Sequence, residues 1–191
     1  MAWQQFSLAT CVFLALAGFS TQAEAGDPPW KQYSDPDHRF LIEYPESAAT
    51  QIVSEKEPRF LSGVAFQFEQ PFHTGADAGS LKFHFQISVW QNTNQLNAEA
   101  WAKENIKPGL TLETRSIQIA GRKGVRIKTT NLAWSVVKTF VADQGCIYEL
   151  SYMDVAANKL LLPESTRTNW TATFDRMLGS FKILSPNAHS R

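Results

Sequence analysis

Leu81-Lys82-Phe83-His84-Phe85-Gln86-Ile87-Ser88-Val89-Trp90 alternates without a break. Leu81, Phe83, Phe85, Ile87 and Val89 point one way, and Lys82, His84, Gln86, Ser88 and Trp90 the other. A period of two is the mark of a strand with one buried face. Five large apolar side chains on that face need a covering layer, so a sheet with elements packed on it is the expected architecture.

Reading outward, Val64, Phe66 and Phe68 alternate with Ala65, Gln67 and Glu69 and give a second strand. Residues 71–80, with Gly75 and Gly79, read as the loop between the two. Residues 33–38 read as a turn. Residues 39–44 form a strand with Phe40, Ile42 and Tyr44 on one face, stopped by Pro45. Residues 47–59 are polar and irregular. On the other side, Asn97 is a good helix cap, Leu96 and Trp101 make a hydrophobic staple around it, and Glu99 suits the first turn. Pro108-Gly109 ends that helix.

Four strand-like runs follow, at residues 111–119, 125–130, 134–141 and 146–153. Their turns are Ala120-Gly121-Arg122-Lys123-Gly124, Asn131-Leu132-Ala133 and Ala142-Asp143-Gln144-Gly145. Such tight spacing implies antiparallel hairpins. A last helix spans residues 163–178, with Trp170, Phe174, Met177 and Leu178 on one stripe. Ser165 is the expected cap and Gly179 the expected stop. Residues 181–184 read as a short final strand. The fold class is α+β, an antiparallel β-sheet with helices packed on it.

The order of these signals resembles the PsbP-like family, the PsbP/DcrB-type domains. Tyr33-Ser34-Asp35-Pro36-Asp37-His38-Arg39-Phe40-Leu41-Ile42-Glu43-Tyr44-Pro45 is similar to the family's opening strand. Ala120-Gly121-Arg122 and the strands after it resemble its central hairpin. Gly145-Cys146-Ile147-Tyr148-Glu149-Leu150-Ser151-Tyr152 resembles its Tyr-bearing strand, and Phe174-Asp175-Arg176-Met177-Leu178-Gly179-Ser180-Phe181 its closing helix end. The likeness spans residues 33–183. It implies an α/β/α sandwich without catalytic activity. Plant and cyanobacterial members are lumenal extrinsic proteins of photosystem II, and other bacterial members are envelope proteins. After Pro45-Glu46 this chain has Ser47-Ala48, where family members that open this way carry a Trp. That sets it apart from the photosystem subunits.

Residues 3–19 are mostly apolar, and Ala23-x-Ala25 then offers the small residues a signal peptidase needs, with cleavage before Gly26. No Lys or Arg precedes Glu24. The apolar stretch is shorter than the ~20 residues of a spanning helix. The expected organisation is a signal peptide at 1–25, a lead-in at 26–32, one PsbP-like domain at 33–184 and a tail at 185–191. No transmembrane segment is expected after signal removal. The chain has 18 basic and 18 acidic residues. Removing 1–25 takes away only Glu24, so the exported part is close to neutral, and its charge gives no reason to expect nucleic acid as a partner. It keeps one cysteine, Cys146, which excludes an intramolecular disulfide. Cys146 sits in a strand-like run with no His nearby in sequence, the setting of a structural thiol.

No pattern of catalytic residues emerges. His38, His73, His84 and His189 share no ligand spacing, and there is no GxSxG elbow. Gly121-Arg122-Lys123-Gly124 lacks phosphate-loop spacing and leads into a strand. Asn169-Trp170-Thr171 matches a glycosylation sequon but falls on a helix. No enzyme activity, metal or cofactor is expected. The residues singled out for partner binding are Arg122 and Lys123 at the hairpin tip, with Arg126 and Lys128 extending the same strand face. The expected function is that of an exported, non-enzymatic envelope protein acting as a binding or assembly accessory to an envelope or membrane-associated protein. The alternative is a periplasmic binder of a small apolar ligand or lipid, using the Trp101 and Trp170 stripes.

Overall fold

The structure of the chain, a computed structural model, describes residues 29–37, 39–74, 77–106, 111–130, 135–157 and 162–184. The signal peptide, His38, the Pro108-Gly109 stop, the Asn131-Leu132-Ala133 turn and the tail lie outside the described residues.

Among the described residues, ten strands make two antiparallel sheets. The larger has seven strands in the order β3-β4-β5-β9-β8-β7-β6. They are β3 (Ala49–Ile52), β4 (Phe60–Thr74), β5 (Asp77–Gln91), β6 (Thr111–Ile119), β7 (Arg122–Thr130), β8 (Ser135–Asp143) and β9 (Cys146–Met153). The smaller has the order β1-β2-β10, with β1 (Trp30–Ser34), β2 (Phe40–Pro45) and β10 (Lys182–Ile183). Helix α1 (Ala98–Asn105) links β5 to β6, and helix α2 (Glu164–Ser180) links the sheets near the end of the chain. The fold is α+β, mostly antiparallel strand.

The apolar face of β5 is as expected: Leu81, Phe83, Phe85, Ile87 and Val89 are all buried, while Ser88 on the other face is buried as well. They meet Val64, Phe66 and Phe68 of β4 in register and lie under α2, whose Phe174, Met177 and Leu178 are buried with them. Phe40 and Ile42 of β2 close the same core. The opposite face of the larger sheet is covered by α1. Ala98, Trp101 and Ala102 pack there on Val125, Ile127, Phe140 and Ile147. Asn97 caps α1 as expected, accepting a hydrogen bond from Ala100 N at 2.9 Å, and Leu96 joins Trp101 in that cluster.

Several expectations are corrected. Residues 71–74 and 77–80 belong to the β4–β5 hairpin, which runs on to Thr74↔Asp77. Gly79 does not break it: a Cβ there would lie 2.8 Å from the Phe72 ring, so the glycine makes room for an aromatic lying across the pair. β3 falls in the stretch read as irregular. All four of its residues are exposed, so it has no buried face to betray it, and it is held by its pairing with β4. β1 occupies part of the expected lead-in and turn because β2 offers it a complete register. Ser165 does not cap α2. Pro163 stands at the cap without a side-chain bond, and the helix continues through Gly179 to Ser180. There the Glu43 amide donates to Ser180 Oγ at 2.9 Å, fastening the helix end to β2.

Candidate functional site

Across the α2 face of the larger sheet, one rung reads Phe66, Phe85, Tyr152, Val137, Lys128, Glu113. The rung turns from apolar to charged where the cover of α2 ends. Tyr152 marks the border. Its ring stacks on Phe85 at 5.6 Å and 6°, and meets Phe174 of α2 at 4.8 Å. Burial pushes its hydroxyl pKa up, while the Arg126 charge pulls it down. The next rung reads Leu150, Thr139, Arg126, Arg115. It too runs from core to charge.

Beyond Tyr152 the sheet and α2 bound a cleft of about 200 Å³. Glu113 and Arg115 of β6, Arg126 and Lys128 of β7, Val137 and Tyr152 form its floor. Asp154 stands at one end, and Thr171 and Asp175 of α2 form the far wall. Lys128 Nζ is ion-paired with Asp154, and Arg115 Nε lies 3.9 Å from Glu113 Oε1. Arg126 Nε is buried with no hydrogen-bond partner among the described residues, and the same holds for Thr139 Oγ1 beside it. The cleft combines a polar lining, fixed cations and unmet hydrogen-bonding capacity. That suits it to hold an anionic group, and it offers no nucleophile beside a base.

The residues expected at the hairpin tip sit elsewhere. The β6–β7 turn is only Ala120-Gly121, both with positive φ (50° and 71°), the geometry of a two-residue hairpin turn. Arg122, Lys123 and Gly124 are therefore the first residues of β7. Arg122 is not a free tip charge, since its Nε bonds Asp143 Oδ1 at 2.9 Å. Lys123 is exposed but falls on the other face from Arg122, Arg126 and Lys128, because successive strand residues alternate. The structure brings Arg126 and Lys128 together in the cleft, leaves Arg122 on the same face outside it, and separates Lys123. Glu113, Arg115, Tyr152, Asp154 and Asp175 were not singled out by sequence. The usable signal was the Ala-Gly turn, which sets Arg115 opposite Arg126. A five-residue turn conceals that register.

Elsewhere, Asp35 is buried and accepts from Arg39 N and Ser62 Oγ, and Arg39 Nη1 is 2.8 Å from Asp37 Oδ2. The turn that resembles the family opening is thus a polar staple joining β2 to β4. Cys146 is half-buried and its thiol pKa is raised, chiefly by burial. His84 is exposed on the polar face of β5. Among the described residues no group of three His, Cys, Asp or Glu is placed to hold a metal ion. No helix among them is long and apolar enough to cross a membrane. Trp101 is packed under α1. Trp170 is half-buried among Phe68, Phe83 and Phe174.

No protein-family description matches the chain, and no curated protein matches its sequence. Solved structures do match in shape. The solution structure of cyanobacterial PsbP (CyanoP) from Synechocystis sp. PCC 6803 superposes with a TM-score of 0.52 at 11% identity, over 86% of this chain and 98% of that one. A crystal structure from Bacteroides thetaiotaomicron VPI-5482 aligns at a TM-score of 0.43 and 11% identity, over 81% of this chain and 48% of that one. The described chain has a PsbP-like fold, as the order of its strands, turns and closing helix implied.

Proposed function

We propose that the chain is an exported, non-enzymatic envelope protein that docks onto another protein as a binding or assembly accessory. The observation that carries this reading is the charged end of the α2 face. There Arg122, Arg126 and Lys128 stand on one face of β7, a strand held on both sides by its neighbours. Rigidly mounted charges outside a core suit recognition better than stability. The PsbP-like fold supports the reading at the level of architecture only. The α/β/α sandwich belongs to the same reading. Its support is α1 on one face of the larger sheet and α2 on the other, with the three-stranded sheet beside α2. We further read residues 33–184 as one domain, preceded by a signal peptide and followed by a tail.

Export is tested by N-terminal sequencing of material recovered from the envelope. It should begin at Gly26, and recovery beginning at Met1 would overturn that part. Docking is tested by capture from native envelope extracts with the purified chain and with a variant carrying Arg122→Glu, Arg126→Glu and Lys128→Glu. A captured protein lost with the folded variant supports docking by this face. One retained by it places docking elsewhere.

A second reading, a small apolar ligand, is favoured by a notch of about 300 Å³ where β5 runs past the end of β9, with Leu81, Phe83, Val136, Tyr152 and Met153 in its walls. Neither Trp101 nor Trp170 lines it. Displacement of a fluorescent apolar dye by fatty acid would favour this reading, and failure of the dye to bind would end it.

A further inference from the structure

Arg115 and Arg126 are direct cross-strand partners on β6 and β7, and both line the cleft. Side chains so placed have Cβ atoms about 5 Å apart, and like charges there repel. Glu113, Asp154 and Asp175 offset their charge, but one donor is left unmet. Arg115 reaches Glu113 only at 3.9 Å, and Arg126 Nε is buried with no acceptor among the described residues. A guanidinium N–H buried without an acceptor is costly, because the group has given up water and received nothing in return. That buried donor, beside the exposed Arg115 guanidinium at the floor of a small open cleft, has one simple remedy, an anion between the two.

We propose that Arg115 and Arg126 form a fork for a single carboxylate, one oxygen accepting from Arg126 Nε and the other from the Arg115 guanidinium. The planar guanidinium edge matches a carboxylate in this way. The rest of the cleft selects against a more highly charged anion. Glu113, Asp154 and Asp175 surround the fork, and a phosphate dianion would meet their repulsion. A volume of about 200 Å³ holds a carboxylate with a short stem. The chemistry is the same whether the carboxylate belongs to a free small acid or to an acidic side chain of another protein. It does not depend on the docking reading, since it can be tested with no partner present.

The test follows the Arg126 Nε–Hε resonance in ¹H–¹⁵N spectra of the full chain during titration. The probes are sodium propionate, an N-acetyl glutamyl amide and inorganic phosphate, each against sodium chloride at matched ionic strength. We expect a saturable shift of that resonance with the carboxylates beyond the chloride control, and weaker binding of phosphate. Tighter binding of propionate points to a free acid as the source, and tighter binding of the glutamyl amide to a protein side chain. Arg115→Gln, at a half-exposed position, should fold normally and weaken carboxylate binding about tenfold or more, the loss of a charged hydrogen bond. Arg126→Gln should do the same, read on neighbouring resonances. Lys103→Gln, exposed on α1 across the sheet, should leave affinity unchanged. The proposal is overturned if no saturable shift exceeds the chloride control, if phosphate binds more tightly than either carboxylate, or if both cleft variants keep their affinity.

Discussion

Trp170 Nε1 donates to Gln70 Oε1 at 2.9 Å, tying the outer stretch of α2 to the far half of the β4–β5 hairpin. The indole ring also stands edge-on to Phe68 and Phe83, at 5.1 and 4.8 Å. The contact holds the helix over the part of the hairpin that neither β3 nor β9 reaches, where the sheet is two strands wide.

Trp170→Ala should therefore cost about 3 kcal/mol, the low end for deleting a large aromatic, because the side chain is only half-buried. Trp170→Phe keeps most ring contacts and loses the hydrogen bond, so about 1 kcal/mol is expected. Urea denaturation of the two variants measures both. Equal losses would mean that the bond to Gln70, and not the ring packing, holds the helix.

Gly124 has a different constraint from the turn glycine beside it. A Cβ at Gly124 would lie 2.6 Å from the Phe140 carbonyl oxygen and 3.2 Å from Val141 Cγ2. Gly124→Ala should push β7 from β8 and cost about 1–3 kcal/mol, as overpacking does. Gly121 has open space but a φ of +71°, so Gly121→Ala should cost about 1 kcal/mol of left-handed backbone strain. Chemical denaturation ranks the two, and a larger loss at Gly121 would contradict the close approach at Gly124.

Tyr148 is buried, and its hydroxyl pKa is driven well above the ordinary value near 10, by burial first and then by Cys146 and Asp143. The folded chain keeps that proton when the unfolded chain releases it. Stability is then full below about pH 10 and falls as pH rises above it. The urea midpoint should hold up to about pH 9 and drop by about pH 11, and Tyr148→Phe should flatten that drop. Tyr33 and Tyr152, also raised mainly by burial, leave a remainder. An unchanged slope in Tyr148→Phe would show that Tyr148 ionises without unfolding.

Arg122 and Lys123 are neighbours in sequence with opposite surroundings. Arg122→Ala removes a half-exposed pair with Asp143 and should cost less than about 1 kcal/mol. Lys123→Glu should change stability by no more than about 0.5 kcal/mol. On association with a captured partner, Arg122→Ala should slow encounter and Lys123→Glu should not, since only Arg122 shares a face with Arg126 and Lys128. Stopped-flow association rates decide this, and equal slowing by both changes would remove the face distinction.

What the sequence determined was set by local chemistry. The unbroken alternation of residues 81–90 named a buried face, and all five of its apolar side chains are in the core. Asn97 and its staple named the start of α1, and Phe174, Met177 and Leu178 named the inner side of α2. Each is a pattern carried by neighbours along the chain. Tertiary structure decided what depends on partners distant in sequence. β3 is a strand because β4 offers it an edge. β10 pairs with β2 across most of the chain, and β5 joins β9 so that two meanders become one sheet. The cleft belongs to this second kind. Arg115, Arg126 and Asp175 carry no shared motif. Arg115 and Arg126 meet because a two-residue turn sets the register of β6 on β7, and Asp175 lines the same cleft from α2. A turn of five residues, 120–124, would put Lys123 beside Arg122 at its tip and hide the pairing of Arg115 with Arg126; the two-residue turn puts Arg122 and Lys123 in a strand, on opposite faces.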